Sequence, residues 1–185
     1  MNDFLDRKLS KRFATFDDDR NGFIEQSDFE MSVARLAEEF GHESKSPARQ
    51  RLLDVCLGLW NHLLEVADTN TDGRISEAEY KAAFALGLLE TPEAFDQGYL
   101  PFLGAIMDIV DQDGDGQLTV TDEIRWTGAM MHLSEQDARE VFCRLDQDAD
   151  GFITTSDLLE AIRAYYFDDS PDSPGYWLLG SLDSP

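Results

Sequence analysis

Four short stretches of this 185-residue chain carry oxygen-bearing side chains at the same intervals. Asp111, Asp113, Asp115 and Asp122 fall at positions 1, 3, 5 and 12 of a twelve-residue window, with Gly116 at position 6. Asp17, Asp19, Asn21 and Asp28 stand at the same positions around Gly22, with Glu25 as a further carboxylate inside that window. Asp68, Asn70, Asp72 and Glu79 do so around Gly73, and Asp146, Asp148, Asp150 and Asp157 around Gly151. A hard cation takes about six to eight oxygens at roughly 2.3–2.6 Å, so a short chain must wrap around one point and turn alternate side chains inward. The glycine allows a turn that few other residues tolerate.

This is the pattern of the EF-hand calcium loop. One such run could be an ordinary solvated acidic loop; four in one chain, each flanked by helix-like sequence, point to cation binding. Position 8 is apolar every time, as Ile24, Ile75, Leu118 and Ile153. A branched apolar residue suits a short, half-buried strand contact between two loops. Loop one should pair with loop two, and loop three with loop four.

The formal net charge is −23, and fifteen carboxylates occupy the four loops at the positions named above. Four divalent cations would reduce the charge only to −15, so the surface stays acidic and should repel nucleic acid and anionic membranes. Apolar residues make up 42% of the chain, including 12 Phe, which is enough for a packed core. Cys56 and Cys143 sit in apolar helical stretches and read as buried thiols of a reducing compartment. The first residues show no signal-peptide core, Gly does not follow Met1, and no apolar run reaches membrane-spanning length. A cytoplasmic location and a monomer are expected.

The elements that must hold the loops read as helices. Phe4, Leu5, Leu9, Phe13 and Phe16 repeat at helical spacing before loop one, and Phe29, Val33, Leu36, Ala37 and Phe40 follow it up to a stop at Gly41. Pro47 opens a long helix whose apolar face is read as Leu52, Val55, Leu59, Leu63 and Val66. A helix from about 76 to 88 leaves loop two. Thr91-Pro92-Glu93 then reads as a fresh helix start, and Pro101 predicts a kink or break. Phe102, Ile106, Ile109 and Val110 enter loop three; Ile124, Trp126, Ala129 and Met130 leave it. Ser134 with Asp137 resembles a capping box before Val141, Phe142 and Leu145, and Leu158, Leu159, Ile162, Tyr165 and Tyr166 follow loop four. The class is all-α with two small loop-to-loop strand contacts. The expected organisation is an N-terminal EF-hand pair over 1–90, a C-terminal pair over 91–167, and a tail over 168–185. No long hydrophilic rod separates the halves, so they should pack into one globule. Tyr176, Trp177, Leu178 and Leu179 should dock on that core, reversed there by a turn at Pro171 and Pro174.

Lys11 to Gly22 (Lys-Arg-Phe-Ala-Thr-Phe-Asp-Asp-Asp-Arg-Asn-Gly), Tyr165-Tyr166-Phe167 and Leu178-Leu179-Gly180 resemble the sarcoplasmic calcium-binding protein family, above all its prokaryotic relative calerythrin. The similarity extends over nearly the whole chain. It implies a compact globule of two EF-hand pairs that buffers calcium instead of opening a groove for targets. It also implies position-7 backbone carbonyl ligands from Phe23, Arg74, Gln117 and Phe152. Up to four Ca2+ ions are expected, with Mg2+ competing at the three loops that end in Asp.

Two other readings stand beside the buffer. A sensor would grip a target peptide; sensors expose Met-rich grooves, whereas here only Met130 and Met131 cluster. A coelenterazine-type photoprotein or luciferin binder would use pairs such as Trp60 with His62, Trp126 with His132, and Tyr176 with Trp177. Nothing reads as an enzyme: His42, His62 and His132 are scattered, and no nucleophile elbow, phosphate loop or zinc spacing occurs.

Overall fold

Ile24, Ile75, Leu118 and Ile153 set the frame of the molecule. In the computed structural model, which describes residues 3–85, 92–168 and 174–180, all four are fully buried. β1 (Phe23–Ile24) runs antiparallel to β2 (Ile75–Ser76) with Ile24 opposite Ile75. β3 (Gln117–Leu118) runs antiparallel to β4 (Ile153–Thr154) with Leu118 opposite Ile153. Loops one and two therefore pair, as do three and four.

Everything else among the described residues is helix or turn. α1 (Asp3–Phe16) and α2 (Gln26–Glu39) flank loop one, and α3 (Pro47–Ala67) and α4 (Glu77–Ala85) flank loop two. α5 (Pro92–Val110) and α6 (Val120–Met131) flank loop three, and α7 (Glu135–Leu145) and α8 (Thr155–Phe167) flank loop four. The caps follow from sequence. Ser46 caps α3 through the Arg49 N–H with Pro47 in the first turn, and Ser134 caps α7 through the Asp137 N–H. α2 stops at Gly41, whose φ of 75° is a left-handed conformation that glycine adopts freely.

Several expectations shift in detail. Pro101 lies inside an uninterrupted α5. A proline removes one hydrogen bond from a helix, and the burial of Phe102, Leu103, Ala105 and Ile106 holds the element together past it. The buried face of α3 is Leu52, Cys56, Trp60, Leu63 and Ala67; Val55 and Leu59 are only partly buried, and Val66 is exposed. Cys143 is exposed, because α7 turns Ala138, Val141, Phe142 and Leu145 inward; Cys56 is the buried thiol, and both are free. The residues beyond Ala85 in the expected loop-two exit helix lie outside the described residues, as do Thr91 and the turn at Pro171.

One continuous apolar core joins the two halves: Leu9, Phe13, Phe29, Leu36 and Trp60 belong to the same cluster as Ile106, Trp126, Phe142, Leu158 and Tyr165. α3 packs on α5, α5 on α8 and α2 on α6. Buried Lys8 of α1 donates to the carbonyls of Tyr165 (2.8 Å) and Asp168 (2.7 Å), so a cation caps the end of α8. The Tyr165 hydroxyl donates back to the Lys8 carbonyl. After α8, a 3-10 turn (Pro174–Trp177) packs against α8 and α7. Any side chain at Gly175 would strike the α8 backbone, a Cβ there lying 2.2 Å from the Tyr165 nitrogen. Leu178 and Leu179 enter the core, whereas Tyr176 and Trp177 are half-buried, with the Arg144 guanidinium 3.9 Å over the Trp177 ring.

Candidate metal centres

The four loops share one hydrogen-bonded turn, and the sequence explains each part. The position-1 carboxylate is threaded by backbone N–H groups from further along the loop. Asp17 accepts from Asn21 (3.0 Å) and Gly22 (2.9 Å), Asp68 from Asp72 (3.2 Å) and Gly73 (3.0 Å), and Asp146 from Asp150 (3.0 Å) and Gly151 (3.1 Å). In loop three Asp111 accepts from Gly114 and Gly116, both at 2.8 Å. The position-5 side chain accepts from the position-7 N–H: Asn21 from Phe23, Asp72 from Arg74, Asp115 from Gln117, and Asp150 from Phe152. Position 6 has φ between 81° and 89° in every loop, which is why glycine stands there.

The twelfth loop position doubles as a helix cap. Asp28, Asp122 and Asp157 sit at the third residue of α2, α6 and α8 and accept from the backbone N–H of Glu25 (2.6 Å), Thr119 (3.1 Å) and Thr154 (2.8 Å). Thr119 and Thr154 return the bond, completing capping boxes. Glu79 does the same with Ser76 (3.0 Å), and these bonds hold its carboxyl below the usual range. One acidic residue thus fixes the helix start and presents a carboxylate to the loop.

Carboxylates gather in three of the loops, whereas in loop two Asp72 is paired with Arg74 Nε at 3.3 Å. Oxygens of Asp17, Asp19 and Asp28 lie within 4.8 Å of one another, as do those of Asp111, Asp113 and Asp115, and those of Asp146, Asp148 and Asp150. Asp122 and Asp157 remain on their caps outside these groups. In loop two Asp68, Asn70, Asp72 and Glu79 line the same turn without such a cluster. The electrostatic cost shows at Asp113, fully exposed, whose carboxyl is raised chiefly by the charge of Asp115. An all-oxygen donor set under mutual repulsion fits a hard divalent cation and disfavours soft metals.

Loop one differs from the others by burial. Asp17 and Asp28 are buried, and desolvation pushes Asp28 up to about 6 despite N–H donors from Glu25, Asp18 and Asp19. Asn21 Nδ2 bridges the Asp19 (3.1 Å) and Glu25 (2.9 Å) carboxylates.

Sequence reasoning missed three polar groups here. Glu123, next to Asp122, is 1% exposed; burial pushes its carboxyl up to about 8, with only the Trp126 indole N–H (2.6 Å) opposing. Its spacing from Trp126 on the inner face of α6 was the available signal. Arg12 is buried among Phe16, Tyr80 and Tyr99, donates to the Tyr99 hydroxyl (3.1 Å), and has an Nε with no partner. Arg12 also borders an apolar cavity of about 40 Å3 between the halves, with Phe29, Cys56, Ile106, Trp126 and Leu178 on its wall. Asp18 binds Arg35 and His132, contacts that no local pattern announces.

Residues 61–85 match the family model described as EF hand. The chain is 29% identical over 161 residues to calerythrin of Saccharopolyspora erythraea, across 86% of this chain and 90% of that protein. It is 27% identical over 174 residues to the sarcoplasmic calcium-binding protein beta chain of Penaeus sp., across 90% of each. A solved Streptomyces coelicolor calcium-binding protein, described in terms of prokaryotic calcium-mediated regulation, matches at 31% identity with a TM-score of 0.75, over 96% of this chain and 99% of that one. The photoprotein n-aequorin superposes with a TM-score of 0.76 over 98% of this chain and 94% of its own, and at 17% identity that likeness is one of fold alone.

Proposed function

The chain belongs to the EF-hand family of calerythrin and the sarcoplasmic calcium-binding proteins, and from that premise we propose that this calcium-binding protein is a cytosolic buffer. Its ligands are those of the four loops. In loop one they are Asp17, Asp19, Asn21, the Phe23 carbonyl, Glu25 and Asp28; in loop two, Asp68, Asn70, Asp72, the Arg74 carbonyl and Glu79. Loop three supplies Asp111, Asp113, Asp115, the Gln117 carbonyl and Asp122, and loop four Asp146, Asp148, Asp150, the Phe152 carbonyl and Asp157. A bound ion would supply the positive charge that the carboxylate clusters of loops one, three and four call for. Glu79 can offer both oxygens to a large ion, whereas the shorter Asp28, Asp122 and Asp157 suit six-coordinate Mg2+ as well.

The observation that carries the buffer reading is the place of the tail. Leu178 and Leu179 are 5% and 0% exposed within a core shared by both halves, so the apolar surface a target helix would need is occupied by the chain itself. Cytosolic residence and a monomer fit the acidic surface; no described helix is long and apolar enough to cross a membrane. Regulation through a target is the second reading, favoured by the description of the Streptomyces relative. The photoprotein reading loses support from geometry. Trp126 is engaged with Glu123, and His132 binds Asp18 outside the cavity wall.

Calorimetric titration of the calcium-loaded protein with a basic amphipathic helical peptide separates the first two readings. A buffer gives no binding heat with or without calcium, and calcium-dependent binding would establish the sensor.

A further inference from the structure

We propose that loops one and three, which lie in different strand-paired halves, bind calcium cooperatively through two reciprocal contacts at position 2 of each loop. The proposal rests on the reading that these loops bind calcium.

Position 2 of an EF-hand loop points away from the ion, and here it points at the other half. Asp18, position 2 of loop one, has a side chain 4% exposed. Both terminal nitrogens of Arg35 donate to its carboxylate, one at 3.0 Å, and His132 Nε2 of the α6 C-cap lies 2.9 Å from it. Burial opposes ionisation of Asp18, and these two partners outweigh it. Arg35 Nε donates to the carbonyl of Ala129 in α6. Gln112, position 2 of loop three, reaches the opposite way: its Nε2 donates to the Phe40 carbonyl at the end of α2 (2.9 Å). His42 Nε2 lies 3.2 Å from the carbonyl of Ile109, just before loop three. Arg125 of α6 closes the seam, donating to the Glu39 carboxylate (2.9 Å) and carbonyl (2.6 Å) with its guanidinium 4.1 Å over the Phe40 ring.

Arg35 stands seven residues after Asp28, and Ala129 seven after Asp122, so the two exit helices meet at equivalent positions. The same Asp18 whose side chain reaches α6 donates its backbone N–H to Asp28 Oδ1 (3.1 Å). Drawing Asp28 onto an ion therefore acts on the residue that grips the far half. Loops two and four lack this device: Thr69 at position 2 donates within its own loop to Glu79 (3.0 Å), and the Gln147 side chain makes no hydrogen bond to the other half among the described residues. An ion at either end orders the common α2–α6 seam, so the second ion meets a seam already ordered and binds more tightly.

The test is a calcium titration of the full chain by heteronuclear NMR, with the position-6 amides of Gly22, Gly73, Gly116 and Gly151 as one reporter per loop. Asp17→Ala, which disables loop one, should weaken calcium binding at loop three by about five-fold or more. Asp111→Ala should weaken loop one by the same factor, because linkage is reciprocal. In the Arg35→Met, His132→Ala, Gln112→Ala triple variant, which removes both partners of Asp18 as well as the Gln112 contact, that factor should fall towards one, while coupling within each strand-paired half persists. Gln112 is exposed, so Gln112→Ala alone should fold and should lower the factor in part, which keeps the test decisive if the triple variant does not fold. Loop-three binding indifferent to Asp17→Ala, or a factor unchanged in the contact variants, would overturn the proposal. Glycine amides that ignore calcium altogether would instead remove the calcium reading beneath it.

Discussion

Glu123 occupies no ligand position, yet it sits under loop three with the Trp126 indole as its hydrogen-bond partner. With its carboxyl pushed up to about 8 by burial, it is neutral near pH 7. Glu123→Gln keeps the shape and the acceptor, so its thermal stability should stay within about 1 kcal/mol of wild type. Glu123→Ala leaves the buried indole N–H without an acceptor and opens a cavity, at a cost of roughly 2–4 kcal/mol. Equal melting of the two variants would contradict this. At Asp122 the reach of the side chain decides. Asp122→Glu lengthens the last ligand by one methylene, so calorimetric titration in competing magnesium should show loop three turning more calcium-selective. The four loop turns were legible in sequence because each repeats the same residue types at the same spacing within twelve residues. Asp18 with Arg35, and Lys8 with Tyr165, were not, because those partners are distant in sequence and only the packed fold brings them together.

Among the elements, the loops and their exit helices were readable because one residue serves both: the acid at position 12 is also the third residue of the helix that follows. Helix phase was less secure. On α3 the sequence offers apolar residues on nearly all sides, so the inward face is chosen by tertiary packing on α2 and α5. Cys143 misled for a related reason, since small apolar residues tolerate either face of an amphipathic helix. The terminal elements hold each other. Lys8→Met removes the charged donors at the end of α8 and should lower stability by roughly 2–3 kcal/mol in denaturant unfolding. A chain ending at Phe167 loses the 3-10 turn together with Leu178 and Leu179, each worth about 1.5–3 kcal/mol when buried, less the entropy of ordering the segment. It should melt earlier than the full chain and bind a hydrophobic dye in the presence of calcium. A truncated protein that is equally stable and silent to the dye would mean that the tail covers nothing.

For the molecule as a whole, two opposed tendencies meet. A single apolar core spanning both halves favours the compact state, while a net charge of −23 gathered largely in the loops opposes it. Ions bound in the loops as proposed would therefore complete the folded state. A site filled at 100 times its dissociation constant adds about 2.7 kcal/mol. Three such sites rival the roughly 5–15 kcal/mol of a typical domain. In a chain of this length 1 kcal/mol moves the melting temperature by about 2–4 °C. The measurement that bears most directly on the account is thermal unfolding of the intact protein in excess calcium against excess chelator, followed by circular dichroism. The calcium-loaded form should melt at least ~15 °C higher, with a midpoint that climbs further as free calcium is raised. Superimposable melting curves under the two conditions would contradict it.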